Sequence, residues 1–181
     1  LSRRTFPDTI SHHYSNFDAA AFPDSPLLLV EDAKGPCFTA DLPYRCLLPR
    51  GLEGILVVGL GASAERDAMT LIRMQPDLQN QGYAAGVAAA AAAASSGRTR
   101  GVDIKAIQKK LVAEGVLADH VLTDEDSHPL AAAKIDEAVR SVGDADQLAR
   151  LAALAVVMAH RQEAIPLLKT RYLQSAAGKK K

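Results

Sequence analysis

The sequence lacks several features that would place it in a common class of protein. It has no tryptophan, only 4% aromatic residues and only two cysteines, and its 21 basic residues are balanced by 21 acidic ones. A balanced charge argues against a surface for nucleic acid or anionic membrane, because such a surface needs a basic excess. No apolar run approaches the ~20 residues that cross a bilayer. We therefore expect neither nucleic acid nor a membrane among the partners.

The two cysteines, Cys37 and Cys46, give no sign of a redox or metal site. They form no C-x-x-C pair, which a dithiol or zinc site would need. A disulfide between them stays an alternative, and two buried thiols are the simpler interpretation. The adjacent His12 and His13 point apart and have no third ligand at a suitable spacing. We therefore predict no metal site.

Alanine dominates the second half of the chain, and apolar residues make up 48% of the whole, which is enough for a core. A helix is predicted to begin at Gln75-Pro76-Asp77, where proline suits the first turn, and to end near Gly97. A surface helix follows over residues 102–117. Asp103 is its expected N-cap and Gly115 its expected stop.

The last third of the chain is predicted to be a helical bundle. An acidic linker at residues 123–127 precedes helices over residues 129–142, 146–160 and 162–175. The last two resemble one HEAT-like helix pair, which cannot bury both of its faces alone and needs further packing.

The first third predicts less regular structure. Residues 1–41 are expected to form loop and hairpin, with candidate strands at residues 27–30 and 37–40. Residues 54–58, GILVV, form a continuous apolar run that is typical of a strand buried on both faces of a parallel sheet.

A glycine-rich turn follows this predicted strand. Residues 59–64, GLGASA, fit the G-x-G-x-x-[GA] pattern of a dinucleotide site, where backbone approaches a diphosphate at a helix N-terminus. An NAD site would place Asp77 after a second buried strand, but the chain runs there into another helix. An NAD-binding enzyme is therefore the weaker alternative. A serine hydrolase at Ser63 is disfavoured, because no Asp–His pair is placed to activate the hydroxyl.

The order of strand, glycine turn, polar crossover and proline-initiated helix resembles the C-terminal part of FAD-dependent oxidoreductases with a glutathione-reductase-like nucleotide fold. The resemblance covers about residues 5–117 and includes a Pro-Tyr-Arg arm at residues 43–45. The matching positions that follow the arm are Gly59, Ser63, Ala68, Arg73, Pro76, Gly82, Ala84, Ala85 and Gly86.

The resemblance implies an FAD site at the glycine turn and at the start of the helix. Free N–H groups and a partial positive charge at the helix start would face the flavin or a phosphate. The implied cofactor-binding residues are Gly59, Gly61, Ser63, Arg73, Pro76, Asp77, Leu78 and Gly82. For Arg45 and Arg73, an ion pair with a carboxylate of the protein is the alternative role.

Four positions differ from the family pattern. Leu60 stands where arginine is usual, Arg66 where histidine is frequent, and Tyr83 where glutamine is common. Asp77 stands at the helix start where a neutral hydroxyl residue is expected, and a carboxylate there would repel a phosphate. The differences predict either altered FAD binding or a degenerate site.

His12 and His13 are the candidate catalytic residues. In the family an Asp/His pair often precedes the Pro-Tyr-Arg arm, and residues 6–18, FPDTISHHYSNFD, resemble it. Either imidazole could then exchange a proton with a substrate near the flavin. The favoured alternative is a pair of surface histidines in a flexible segment, with residues 1–26 exposed and open to proteolysis.

The predicted fold class is α+β and helix-dominated: an incomplete FAD-type nucleotide fold with a small sheet, followed by a C-terminal helical bundle. Residues 1–41 would be a remnant of a substrate domain and residues 42–101 the C-terminal part of the FAD-binding fold. Residues 102–122 would form the surface helix, and residues 128–175 the helical tail.

No glycine-rich turn for the ADP half of FAD precedes residue 42, so we expect a fragment of a larger flavoenzyme. The parent would use FAD to transfer a hydride to or from a small organic substrate, and the fragment alone would be inactive and bind no FAD. Its expected partner is the missing N-terminal FAD-binding half, and a homo-oligomer is an additional expectation. The alternative is a non-catalytic helical interaction module with a degenerate flavin site.

Overall fold

The computed structural model describes residues 4–15 and 38–178, in two compact units that divide between Ser127 and His128. The first unit contains a two-stranded antiparallel sheet and three helices. The strands are β1 (Thr9–Ser15) and β2 (Phe38–Pro43), and the helices are α1 (Arg66–Leu71), α2 (Gln75–Ala94) and α3 (Ile104–Ala113). Single 3-10 turns lie at Tyr44–Leu47, Gly59–Gly61, Thr99–Gly101 and Asp119–Leu122.

Helix α2 packs its small-residue face into the core of this unit. Its buried residues recur at intervals of mostly three or four, which places them on one side of the helix. They are Asp77, Gln81, Ala84, Ala85, Ala88 and Ala92. Ile10, Leu47 and Leu111 are among the fully buried side chains of the same core. Alanine side chains keep α2 close to its neighbours, so the two polar residues on this face are held inside the unit.

The ends of α3 are those that the sequence predicts. The carboxylate of Asp103 accepts a hydrogen bond from the N–H of Ala106 at 3.0 Å, as expected of an N-cap. Gly115 has φ = +72° and its N–H reaches the carbonyl of Val112, which ends the helix in a left-handed turn.

The last residues of the first unit return to its beginning. Thr5 and Ser127 exchange two hydrogen bonds, from Thr5 N–H to Ser127 Oγ and from Ser127 N–H to the Thr5 carbonyl. The guanidinium of Arg45 forms a two-bond pair with Asp126 at 2.6 and 3.1 Å and also lies 3.5 Å from Asp8. Arg45 therefore takes the predicted alternative role, since its partners are carboxylates of the protein.

The second unit consists of α4 (Ala132–Ser141), α5 (Gln147–Ala159) and α6 (Arg161–Gly178). Its core is formed by Ile135, Ala138, Val139, Ala153, Val157 and Ala164. The likeness of the last two helices to a HEAT pair stays a prediction. In the part of the chain that the structure covers, no single helix meets the length and hydropathy of a membrane span, although α5 and α6 taken together across a 119° bend do.

The helix-dominated fold class with a small sheet is confirmed, but two local predictions are wrong. Residues 54–58 belong to no strand, and Ile55 and Val58 are 48% and 42% exposed. The Val57 N–H donates to the Leu47 carbonyl, and no described strand lies alongside the segment. Residues 9–13, expected to be exposed, are largely buried in β1. The predicted strand at residues 27–30 lies outside the described residues, whereas residues 38–40 belong to β2.

The Asp103 cap predicts a measurable contribution to stability. Asp103→Ala should lower the free energy of unfolding by about 1 kcal/mol, because it removes the acceptor for the Ala106 N–H. Asp103→Asn should stay close to wild type, since the amide oxygen can cap equally well. Urea unfolding followed by tyrosine fluorescence reports mainly the first unit, which holds Tyr14, Tyr44 and Tyr83 of the four tyrosines. Equal losses in both variants would contradict the cap.

Candidate functional site

The glycine turn and helix α2 meet through one hydrogen bond. The N–H of Gly59 donates to Oε1 of Gln81 at 2.6 Å, and Gln81 is fully buried one helical turn after Asp77. Gly59 has φ = +67°, which favours glycine, and a Cβ at this position would meet no atom within 4 Å. The predicted turn and the predicted helix therefore come together, although 22 residues separate the two bonded residues.

The turn is also tied to the two residues that follow the Pro-Tyr-Arg arm. Ser63 N–H donates to the carbonyl of Cys46 at 2.8 Å, and Val57 N–H donates to that of Leu47 at the same distance. A Cβ on Gly61 would lie 2.8 Å from the Cγ1 atom of Val57, so this position is crowded as well as turned. The residues that precede the turn are also held by hydrogen bonds to other segments of the chain.

The clamp before the turn is built around Glu53. Its Oε1 accepts hydrogen bonds from the Thr99 hydroxyl at 2.8 Å and from the Arg100 N–H at 3.1 Å. These bonds lower the pKa of Glu53 to about 2, the Thr99 hydroxyl contributing most. The Arg100 guanidinium donates to the carbonyls of Leu52 and Pro49, and the buried Tyr44 hydroxyl donates to the Thr99 carbonyl. The segment leading to Gly59 is thus fixed at its base.

The start of α2 is tied to strand β1 by Asp77. Its Oδ2 accepts the N–H of Tyr14 at 2.7 Å and lies 3.9 Å from Nδ1 of His13. The hydrogen bond thus leads to the strand, and no side chain caps α2 at Met74. From the sequence, this carboxylate was expected to interact with the dipole of α2. In the structure it also joins α2 to β1.

His13 is fully buried and the His12 side chain is only 10% exposed, so their interpretation as surface histidines is wrong. Strand β1 alternates its side chains between two covered sides, which the mixed sequence around them does not reveal. His12 Nδ1 lies 2.7 Å from Asp41 Oδ1, and its Nε2 accepts the N–H of Ala118 at 3.1 Å. A backbone N–H can only donate, so Nε2 carries no proton and Nδ1–H donates to Asp41. Both nitrogens of His12 therefore hold protein partners.

His13 is the more unusual of the two histidines. Its side chain is fully buried, and neither ring nitrogen has a hydrogen-bond partner among the residues that the structure covers. Burial lowers the pKa of His13 below its ordinary 6.5, with a smaller contribution from His12, while Asp77 and Asp41 act in the opposite direction. The imidazole is therefore held in its neutral form. Its predicted catalytic role, like that of His12, stays a prediction.

The other predicted site residues lie nearer the surface. Ser63, Pro76 and Gly82 are exposed, whereas Arg73 and Leu78 are half-buried. Gly82 borders an apolar groove of about 980 Å³ between α2 and α3, away from the buried face of α2. The structure thus joins Gly59 to α2 and His13 to Asp77. Gln81, the residue that connects the turn to the helix, was missed. Its one signal is a polar side chain at helical spacing between Asp77 and Ala84.

Three N–H groups of the glycine turn are not free for a diphosphate. A diphosphate needs free N–H groups, but those of Gly59, Ala62 and Ser63 donate to acceptors of the protein. Pro76 has no N–H, and the carboxylate of Asp77 lies in the first turn of α2. What the turn does offer is an open backbone surface over Gly59, with its neighbour Leu60 68% exposed.

The comparison with protein families gave a match. The model of the FAD dependent oxidoreductase family matches residues 1–111, which is more than half of the chain. The chain therefore belongs to the family of FAD-dependent oxidoreductases. Comparisons with curated proteins and with solved structures gave no match.

The burial of His13 predicts a loss of stability in mild acid. Below pH 6.5 the unfolded chain protonates this imidazole, whereas the folded chain, whose His13 pKa is lowered, does not. The unfolded state then binds more protons, so stability falls as the pH decreases, by up to about 1.4 kcal/mol per pH unit. His13→Gln should remove this part of the pH dependence, and His120→Gln, at a half-exposed histidine, should keep it. Urea unfolding between pH 7.5 and about 5 measures both slopes. Equal slopes for the wild type and His13→Gln would contradict the assignment.

Proposed function

We propose that this chain is the C-terminal part of the flavin fold of an FAD-dependent oxidoreductase that transfers a hydride between a small organic substrate and flavin. Family membership over residues 1–111 supports the class. The observation that carries the proposal is the bond from Gly59 N–H to Gln81, which sets the glycine turn against α2. The bare backbone of this turn is proposed as one wall of the cofactor site.

The chain alone is proposed to be inactive, because three N–H groups of the glycine turn that could hold a diphosphate already donate within it. The cofactor would be held mainly by the expected partner, an N-terminal FAD-binding half. An apolar segment at residues 54–64, which contains no charged residue, supports such a partner. The N–H groups of Ile55, Leu56 and Val58 have no acceptor in the described ranges. A segment with open backbone groups and exposed apolar side chains can pair with a strand of a partner.

A second candidate function is a non-catalytic helical interaction module. Leu148, Tyr172 and Leu173 in the helical unit are 78%, 73% and 67% exposed, and large apolar side chains in such number favour a partner. A homo-oligomer through this unit is one form of that proposal. A change in the Gly59 turn distinguishes the two functions. The first function requires this turn for flavin binding, whereas the second does not.

The proposal predicts that the chain alone gains no thermal stability from FAD. A competent site is stabilised by RT ln(1 + [L]/Kd), which reaches about 4 kcal/mol when the free FAD is at a thousand times Kd. Thermal unfolding with and without millimolar FAD should therefore coincide, whereas the full-length flavoenzyme should retain a yellow cofactor after gel filtration. A shift of several degrees for the chain alone would show a complete site. A colourless full-length protein that also fails to bind added FAD would sink the flavoenzyme proposal.

A second prediction uses two glycines with the same backbone geometry. Gly59 and Gly115 have φ of +67° and +72°, and a Cβ would meet nothing within 4 Å at either. Gly59→Ala and Gly115→Ala should therefore each cost about 1 kcal/mol of stability through strain alone. In the full-length flavoenzyme only Gly59→Ala should weaken FAD retention, by roughly ten-fold or more, equivalent to about 1.4 kcal/mol. Flavin absorbance per protein after dialysis measures this, and equal retention in both variants would exclude the Gly59 turn from the cofactor site.

A further inference from the structure

Strand β1 turns an entirely polar row of side chains into the interior. Ser11, His13 and Ser15 alternate along the strand, which puts them on one face. Each is at most 3% exposed, as is Thr9, which lies beyond a register irregularity between Thr9 and Ser11. A strand that packs on helices normally buries apolar residues on such a face. Here α2 adds the buried Gln81 one turn after Asp77, on the same helix face as that residue.

Helix α3 contributes a further polar residue to the same strand. Gln108 is fully buried, and its Nε2 donates to the carbonyls of Thr9 and Pro7 at 2.8 and 3.1 Å. Because carbonyls can only accept, the amide orientation is fixed and Oε1 is the free end. The same argument orients Gln81, since its Oε1 accepts the Gly59 N–H and Nε2 is left free.

Four of these residues, Ser11, His13, Gln81 and Gln108, form what we call the polar layer. They hold five buried atoms without a hydrogen-bond partner in the covered part of the chain: Ser11 Oγ, both His13 ring nitrogens, Gln81 Nε2 and Gln108 Oε1. Native proteins leave only a few such atoms per hundred residues, and each left unpaired costs about 1–3 kcal/mol. Five such atoms left dry would together consume much of the stability of a domain.

We propose that the polar layer is a binding site for ordered internal water molecules. Its free groups include donors (Gln81 Nε2 and one His13 nitrogen), acceptors (Gln108 Oε1 and the other His13 nitrogen) and the Ser11 hydroxyl, which can be either. A water molecule matches such a mixed set, because it both donates and accepts and needs two to four polar partners.

Other small ligands match the polar layer less well. An anion would meet the carboxylate of Asp77 3.9 Å from His13 Nδ1, with no cation in the layer to balance it. A metal ion would need more ligands, and within the described ranges no three His, Cys, Asp or Glu side chains are placed to hold one. The occupant is therefore small, neutral and able to both give and take hydrogen bonds.

The site has a consequence for the glycine turn. Gln81 is shared, because one end of its amide holds Gly59 and the other end belongs to the polar layer. Water bound at Nε2 would fix the plane of that amide, and with it the acceptor for the Gly59 N–H. The bound water would then act as a positioning element for the turn.

The proposal is tested by one substitution and its matched control. Ser11→Ala removes a hydroxyl whose partner would be water, and Thr9→Val removes a fully buried hydroxyl whose partner is the Phe6 carbonyl at 3.0 Å. If the layer is hydrated, both variants should lose a hydrogen bond and melt about 2–4 °C lower. If the layer is dry, Ser11→Ala removes an unpaired polar group and should leave the melting temperature unchanged or raise it, which overturns the proposal.

A high-resolution crystal structure of the full chain gives the second, independent readout. Ordered water within about 3.2 Å of Ser11 Oγ, a His13 nitrogen and Gln81 Nε2 is the expected result. Rotamers in which these side chains bond directly to one another, with no water between them, would overturn the proposal even if the protein folds as described. Neither measurement involves flavin, so the outcome is independent of the proposed function.

Discussion

The first unit depends on two polar side chains that stand among alanines on the buried face of α2. Asp77 holds the strand through the Tyr14 N–H, and Gln81 holds the glycine turn through the Gly59 N–H. The alanines of this face bury little area each, so they bring surfaces close without fixing their register. Directional hydrogen bonds do that instead, and they do it from inside the unit, where competition with water is weak. The strand, the turn and the helix thus share one reference surface.

The interior of the unit is more polar than its composition suggests. A neutral His12 between Asp41 and the Ala118 N–H is fully satisfied, whereas His13, two positions from Ser11 on the strand face, is not. The two neighbouring histidines therefore differ in their hydrogen bonding. The strand directs His12 towards β2 and the loop after α3, whereas it directs His13 towards α2. This difference comes from the direction of each side chain, and the residue type alone would not predict it.

Local sequence signals predict the structure correctly where interactions between residues close in the chain determine it. Pro76 lies in the first turn of α2, Asp103 caps α3, and Gly115 ends it with a positive φ; each depends on atoms within a few residues. The prediction of a buried strand at residues 54–58 was wrong, because a buried strand needs neighbouring strands on both sides. An apolar sequence pattern does not show whether those strands are present. Gln81 and the burial of His13 escaped for the same reason, since both follow from packing between distant segments. The motif predicted the position of the glycine turn, but it did not predict which acceptors its N–H groups bond.

The closing segment of the first unit separates two meanings of a boundary. The family match ends at residue 111, yet residues 118–127 supply the N–H that His12 accepts, the carboxylate that Arg45 holds and the Ser127 hydroxyl that accepts from Thr5. A chain cut where the family similarity ends would leave Arg45 without Asp126 and His12 without the Ala118 N–H. The region matched by the family is thus shorter than the compact unit, whose last residues, up to Ser127, complete the hydrogen bonding of its first ones.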